Sequence, residues 1–415
     1  ISVMSSLVEK YGYASSGESF SIADKNELWL MEMVGKGPNE KGALWVAVRI
    51  PDDCIAAHAN QSRIHKFLQY DKKNVIYAKD VISYARKHGY FTGKDADFSF
   101  ANAISPADFG AVRFCDARAW SFFNRFVDGM DKYLDYVDGK HIGKAEPFPL
   151  YFKPKRLLSR QDIMDGMRDH YEGTPLALDS TDMGGGIWQM PYRPTPLIFE
   201  CDGKKYFNER PVSTQQTAFS YVAQMRSWLP REIGGVLWFG NDDGNMIAYT
   251  PIYCGNTVQP ECYNTPGADA VTFSDRNAFW VCNWVSNMVY PRYAQLFPAL
   301  KQVRDSLERS YFSRQAGIEA EALARYRTDK AAALRVLNNY SNEQAQKMLD
   351  RWRQLAVYLI VKFNDMAERP DDNGRFRRTP TGLGARVMRP GFPAAFARKL
   401  VQSTGEKFEV PPRSK

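Results

Sequence analysis

Hydrophobic and polar positions change rhythm several times along the 415-residue chain. Ile1, Val3, Met4, Leu7 and Val8 fall at helical spacing, so residues 1–11 read as the end of a helix. Phe20–Ala23 and Leu28–Met33 read as two strands, and Asp24-Lys25-Asn26-Glu27 between them is turn-rich, which predicts a hairpin. Ala43–Ile50 is nearly all apolar, as in a strand covered on both faces, and Pro51 ends it. Helices are predicted over Asp80–Lys87, about Ala111–Phe126 and Arg160–His170, then strands over Ser213–Gln224, Gly234–Phe239 and Asn245–Tyr253, with Asn241-Asp242-Asp243-Gly244 as a hairpin turn. Helix returns over Arg276–Tyr290.

Beyond about residue 295 the periodicity becomes helical. Glu319–Arg327 is rich in Ala, Glu and Leu. Ser341 followed by Gln344 has the form of a capping box and predicts the start of a helix with Ala345, Met348, Leu349, Trp352, Leu355, Leu359, Ile360 and Phe363 on its apolar face. Residues 366–415 are rich in Pro, Gly and Arg and read as an irregular arm. Hairpins followed by helices, without βαβα alternation, predict an α+β fold rather than a doubly wound sheet.

Composition changes this picture little. Hydrophobic residues make up 44% and charged residues 25%, which is globular rather than disordered. The net charge of +8 is spread out, and neither Arg375, Arg377, Arg378 nor Lys153, Lys155, Arg156 accompanies a nucleic-acid motif, so surface charge is the simpler account. No apolar run is long enough for a transmembrane helix and no signal peptide is visible. None of the six cysteines forms a CxxC pair, and the five histidines are scattered, so no metal site is expected. Cys254 and Cys262 flank a loop and are either bridged or free.

Catalytic motifs mostly fail. Gly17-Glu18-Ser19-Phe20-Ser21 misses the last Gly of a nucleophile elbow, and Gly93-Lys94 lacks the remainder of a phosphate-binding loop. No cofactor is implied. The suggestive stretch is Ala56-Ala57-His58-Ala59-Asn60-Gln61 just past a buried strand. Its small residues suit close approach of a ligand; equally, Asn60 suits a turn in which it bonds its own backbone.

Longer blocks then carry a resemblance. Gly17–Asp24, Trp29-Leu30-Met31-Glu32, Gly35-Lys36-Gly37, Ala43-Leu44-Trp45-Val46-Ala47, Ala57-His58-Ala59-Asn60-Gln61, Val212–Phe219, Arg226-Ser227-Trp228-Leu229-Pro230, Gly234–Gly240 and Ala278-Phe279-Trp280 with Asn283 and Asn287 resemble the bacterial cysteine dipeptidases, a branch of the N-terminal-nucleophile hydrolases. The likeness runs from residue 1 to about 365. It implies a four-layer αββα sandwich over residues 1–300, a helical extension over 301–365 and the arm over 366–415. It also implies hydrolysis of short peptides by an N-terminal cysteine whose own α-amino group is the general base.

The chain departs from that pattern at its first residue, because Ile1 has no nucleophile. The expectation is that the cysteine and the first strands lie in a segment outside this sequence, as a separate chain, a disordered stretch or a removed part, and that residues 1–415 alone are inactive. By the resemblance, Asn60 helps hold the reacting carbonyl. Arg113 is the arginine aimed at the nucleophile, with Arg118 competing for that role; a surface ion pair is the plainer role for either. Glu18 binds the substrate's ammonium, or else caps or salt-bridges, and His58 orients substrate or structure. Related readings stay open: an acylamide hydrolase on the same fold, or a binding or scaffold protein without a nucleophile. A homo-oligomer fits the resemblance. The compartment is not fixed, although the aromatic, Pro-rich, basic character leans toward a periplasmic or secreted form.

Overall fold

The computed structural model of the chain describes residues 1–179, 181, 184–193 and 196–412. Two compact units emerge, one of Ile1–Asp169 with Glu209–Val212 and Gln224–Gly235, the other of His170–Asn208, Ser213–Ala223 and Val236–Lys415.

The first unit is built on an antiparallel sheet in the order β1 (Gly17–Ala23), β2 (Leu28–Gly35), β3 (Ala43–Ile50) and, beyond β4 (Ile55–Ala56) in sequence, β5 (Val75–Tyr77). The Asp24 carboxylate closes the first hairpin by accepting the backbone N–H groups of Asn26 (2.7 Å) and Glu27 (2.9 Å), an Asx turn that fixes the pairing of Ala23 with Leu28. β2 and β3 are buried almost throughout, which is why their apolar runs do not alternate. Leu30, Met31, Val46 and Ala47 form the centre of this core, each worth about 1–3 kcal/mol of burial for the larger side chains. β4 pairs with β6 (Tyr151–Phe152).

The helical stretch predicted near 111–126 begins as a turn at Phe109–Ala111, passes through a π-helical turn at Val112–Asp116 and becomes a regular helix over Ala117–Phe126. Phe123 and Trp120 anchor that helix, and Phe123 packs edge-on against Phe148 and Phe152. The helix at Arg160 ends at Gly166, not His170, and starts with a capping box between Ser159 and Asp162.

In the second unit, β9 (Phe219–Gln224), β10 (Val236–Asn241) and β11 (Thr250–Tyr253) form a three-stranded sheet, preceded by a hairpin of β7 (Ile198–Cys201) and β8 (Lys204–Phe207). β9 is shorter than predicted, and Asn245–Tyr249 is not strand. Two of its backbone donors go to side chains, Asn245 N–H to Ser213 Oγ (3.2 Å) and Tyr249 N–H to Glu308 (3.0 Å), and the Met246 N–H closes a turn on the Asp243 carbonyl (2.8 Å). Helices Tyr293–Tyr326 and Lys330–Phe363 are joined by three residues and run back along each other, with Tyr340 O–H donating to the Tyr311 carbonyl at 3.3 Å.

The predicted helix start at Ser341 is corrected here. The helix begins at Lys330, where Asp329 caps it through the Ala332 N–H (2.8 Å), and Ser341 and Gln344 sit mid-helix in the core. The segment after 366 carries a short hairpin of β12 (Asp371–Asp372) and β13 (Arg375–Phe376) and a helix at Ala394–Thr404; its last three residues lie outside the described ones. Cys254 and Cys262 are both free.

Candidate functional site

β3 delivers the chain to Pro51, a turn closes from the Cys54 N–H to the Pro51 carbonyl (3.0 Å), and β4 pins the next residues against β6. The His-Ala-Asn stretch follows at once. His58 Nε2 lies 2.9 Å from the Ser21 hydroxyl on β1, and burial lowers the imidazole's pKa, so it is neutral near pH 7. Asn60 is exposed. Its Oδ1 accepts from Arg118 Nη2 at 2.7 Å, and Arg118 Nε donates in turn to the Phe114 carbonyl at 2.7 Å.

Arg113 is placed otherwise. It is buried, ion-paired with Glu209 through Nη2, and donates Nη1 to the Val137 carbonyl at 3.3 Å. Burial raises the Glu209 carboxyl even though Arg113 beside it pulls the other way. Of the two competing arginines, Arg118 therefore meets Asn60. Glu18 is exposed on β1 opposite Met33, while Ser21 pairs with Leu30. Period-two alternation puts Glu18 on the other face of the strand from Ser21 and its partner His58.

Beneath this stretch lies a buried polar layer that sequence reading passed over. Glu32, on the same face of β2 as Ser19 of β1, accepts the backbone N–H groups of Arg63 (2.5 Å) and Ile64 (3.1 Å), which fastens the chain just past Asn60 to the sheet. Burial pushes its carboxyl up to about 7. Arg63 stacks 3.9 Å above Phe148 and stands 3.9 Å from Asp116, whose carboxylate accepts the Tyr136 hydroxyl at 2.6 Å. Burial raises both Asp116 and Tyr136. The available signal was a lone Glu in an otherwise apolar strand.

The second unit holds its own buried acids in the loop read as a plain hairpin turn. Asp242 has φ +87°, a left-handed conformation that Asp tolerates better than most residues. Its carboxylate accepts Ser286 Oγ (2.7 Å) and Asn283 Nδ2 (3.2 Å), and burial pushes it up to about 7. Asp243 accepts from the Ser213 hydroxyl, the Asn245 N–H (3.1 Å) and the Tyr290 hydroxyl (3.2 Å).

Among the described residues, no group of three or more His, Cys, Asp or Glu side chains converges to hold a metal ion, and no helix is long and apolar enough to cross a membrane. Three of the thiols, those of Cys54, Cys262 and Cys282, are poorly suited to attack. Burial raises Cys54, with Asp53 adding to it, pushes Cys262 up to about 12 and raises Cys282 well above its ordinary value.

Compared with known proteins, residues 1–306 match the peptidase family C69. The chain is 26% identical over 290 residues to a probable dipeptidase of Salmonella dublin, an alignment covering 68% of this chain and 58% of that protein. It is 24% identical over 362 residues to probable dipeptidase B of Streptococcus pyogenes serotype M1, covering 87% and 66% respectively. With dipeptidase A of Lactobacillus helveticus it shares 26% over 300 residues, covering 71% and 55%. The chain thus spans less than two thirds of the length of these curated relatives. With the family matched over most of its length, the chain belongs to peptidase family C69.

Proposed function

We propose that this chain is the body of a cysteine-type dipeptidase with the four-layer αββα architecture of the N-terminal-nucleophile hydrolases, and that its nucleophilic thiol comes from polypeptide outside residues 1–415. Residues 1–300 then form the hydrolase body, 301–365 a helical extension and 366–415 an outer arm. Family membership and the dipeptidase names of the relatives support the substrate class. The raised thiols of Cys54, Cys262 and Cys282 make these three poor candidates for the nucleophile's role.

The observation that carries the reading is the Asn60–Arg118 bond of 2.7 Å. A guanidinium only donates, so it fixes the Asn60 amide with Oδ1 toward Arg118 and Nδ2 as the outward donor. An exposed N–H pair of fixed orientation suits a developing oxyanion. In the proposed cycle the thiol, deprotonated by its own α-amino group, attacks the scissile carbonyl. Asn60 Nδ2 donates to the tetrahedral oxygen, the leaving amine takes the proton, and water resolves the thioester. Glu18 is the acid proposed for the substrate's ammonium, and neutral His58 positions the Asn60 stretch through Ser21. Arg113, paired with Glu209, acts in this account by holding the π-helical turn that leads to Arg118.

The full-length protein assayed on a panel of dipeptides tests this. Hydrolysis that is abolished by a thiol alkylator and insensitive to chelator is expected; activity that needs a metal and survives alkylation overturns it.

A further inference from the structure

In the second unit a groove of about 650 Å³ runs between helices Tyr293–Tyr326 and Lys330–Phe363, and the β12–β13 turn closes one end. Its volume is that of a small-molecule site. Val303, Ser306 and Arg309 on the first helix, and Arg351, Gln354 and Tyr358 on the second, recur at three-to-four spacing, so each helix gives one face to the groove. Ala299, Val303 and Leu355 make its wall apolar in part.

The charged side chains in the wall are three cations and one acid, Asp371. The acid is spent locally. It accepts from Lys362 Nζ (2.6 Å), the Tyr358 hydroxyl (3.0 Å) and the Gly374 N–H (2.7 Å), and so neutralises Lys362. Arg309 and Arg351 have no such counter-ion. Among the described residues Arg351 makes one side-chain bond, from Nη1 to Gln354 Oε1 (2.9 Å), and Arg309 makes none. Gln354 also lines the groove, so that bond draws the Arg351 head group along it toward the hairpin. A guanidinium only donates, so Gln354 keeps Nε2 free as a further donor.

The helix pairing sets the spacing of the two arginines. The Tyr311 hydroxyl donates to the Gln344 carbonyl (3.4 Å) and the Tyr340 hydroxyl to the Tyr311 carbonyl (3.3 Å), which places residue 311 opposite 340–344. Counting back along the antiparallel pair leaves Arg309 and Arg351 about two turns apart, on the order of 10 Å along the axis. Both are exposed. One ion pair at such a position is worth under about 1 kcal/mol, so discrimination requires both arginines to be engaged by one ligand.

We propose that this groove binds an extended small dicarboxylate. One carboxylate accepts from Arg351 and Gln354 Nε2, the other from Arg309, and the apolar chain between them lies against Val303 and Leu355. Two unpaired cations then meet two anions. A ligand with a single carboxylate, or with two close together, engages one arginine at a time, so the groove selects for charge number and for length.

Titration calorimetry of the full-length protein at low salt, where exposed pairs are least screened, tests this with the linear dicarboxylate suberate, the monocarboxylate octanoate and the short dicarboxylate succinate. Suberate is expected to bind at least tenfold more tightly than either. Arg309→Gln and Arg351→Gln are each expected to lower suberate affinity to the level of octanoate. Both arginines are exposed, so the melting temperature should hold. Arg335→Gln, an exposed position of the second helix outside the groove, should leave binding unchanged. Suberate no tighter than octanoate or succinate, suberate binding untouched by the two groove variants, or an equal loss in Arg335→Gln would each overturn the proposal.

Discussion

Two carboxyl groups, one in each unit, are pushed by burial to about the same pKa near 7, yet their surroundings differ in kind. Glu32 sits mid-strand and accepts backbone N–H groups, with the Arg63 cation, Asp116 and Tyr136 next to it. Asp242 sits in a turn with a left-handed backbone and is satisfied by Ser286 and Asn283, neutral side chains, with a second acid, Asp243, beside it in sequence. The first arrangement sets a buried cation beside buried acids and fastens a loop to the sheet. The second uses only neutral donors and locks a loop that lacks strand pairing. Equal desolvation thus fastens a loop beside a buried cation in one place and fixes a turn with neutral donors in the other.

The comparison breaks most visibly in pH dependence. Asp242 rises from a reference of 3.8 to about 7, so the folded state holds a proton that the unfolded state releases. Stability is full below about pH 4 and is lost as pH rises to about 7, by about 4 kcal/mol at the scale of about 1.4 kcal/mol per pKa unit. Asp242→Asn keeps an acceptor and a residue tolerant of positive φ, so urea unfolding of the second unit should become nearly flat over that range. Glu32 rises from 4.5 to about 7 and follows the same sign. Glu32→Gln should remove about 3 kcal/mol of pH dependence from the first unit, read in the same unfolding series.

Effects on turnover come next. Arg118→Ala frees the Asn60 amide to rotate, and kcat on a dipeptide should fall about tenfold, or about 1.4 kcal/mol, with KM little changed. Arg118→Lys should recover only part of it, since an ammonium lacks the fixed plane of a guanidinium. The smallest expected effect is Glu18→Gln, with KM for dipeptides raised several-fold, under about 1 kcal/mol for an exposed ion pair, and N-blocked substrates unaffected.

Much of the scaffold is legible in the sequence for simple reasons. The β1–β2 turn announces itself through Asp24, and β3 through its unbroken apolar run closed by Pro51. Ser341 and Gln344 mislead because a capping box and two buried polar residues four positions or fewer apart look alike in a string; only the helix already running from Lys330 tells them apart. Asn245–Tyr249 misleads because its end residues, Asn245 and Tyr249, send their backbone N–H groups to the side chains of Ser213 and Glu308, far away in sequence. The choice between Arg113 and Arg118 was illegible for a geometric reason. The π-helical turn at Val112–Asp116 inserts a residue and shifts the helical phase, so spacing along an ideal helix does not say which arginine faces Asn60. Asn60 stands out in the sequence as a polar residue among small ones past a buried strand, and the structure places it exposed against Arg118, whereas nothing local marks Arg63 as a buried cation.

The central claim is that Asn60, oriented by Arg118, stabilises the oxyanion of peptide cleavage. Steady-state kinetics of Asn60→Ala in the full-length protein test it most directly. The account predicts that kcat on dipeptides falls by about 10²–10³, the usual loss for an oxyanion donor, while the melting temperature is preserved. A kcat within about threefold of the unaltered protein would contradict it.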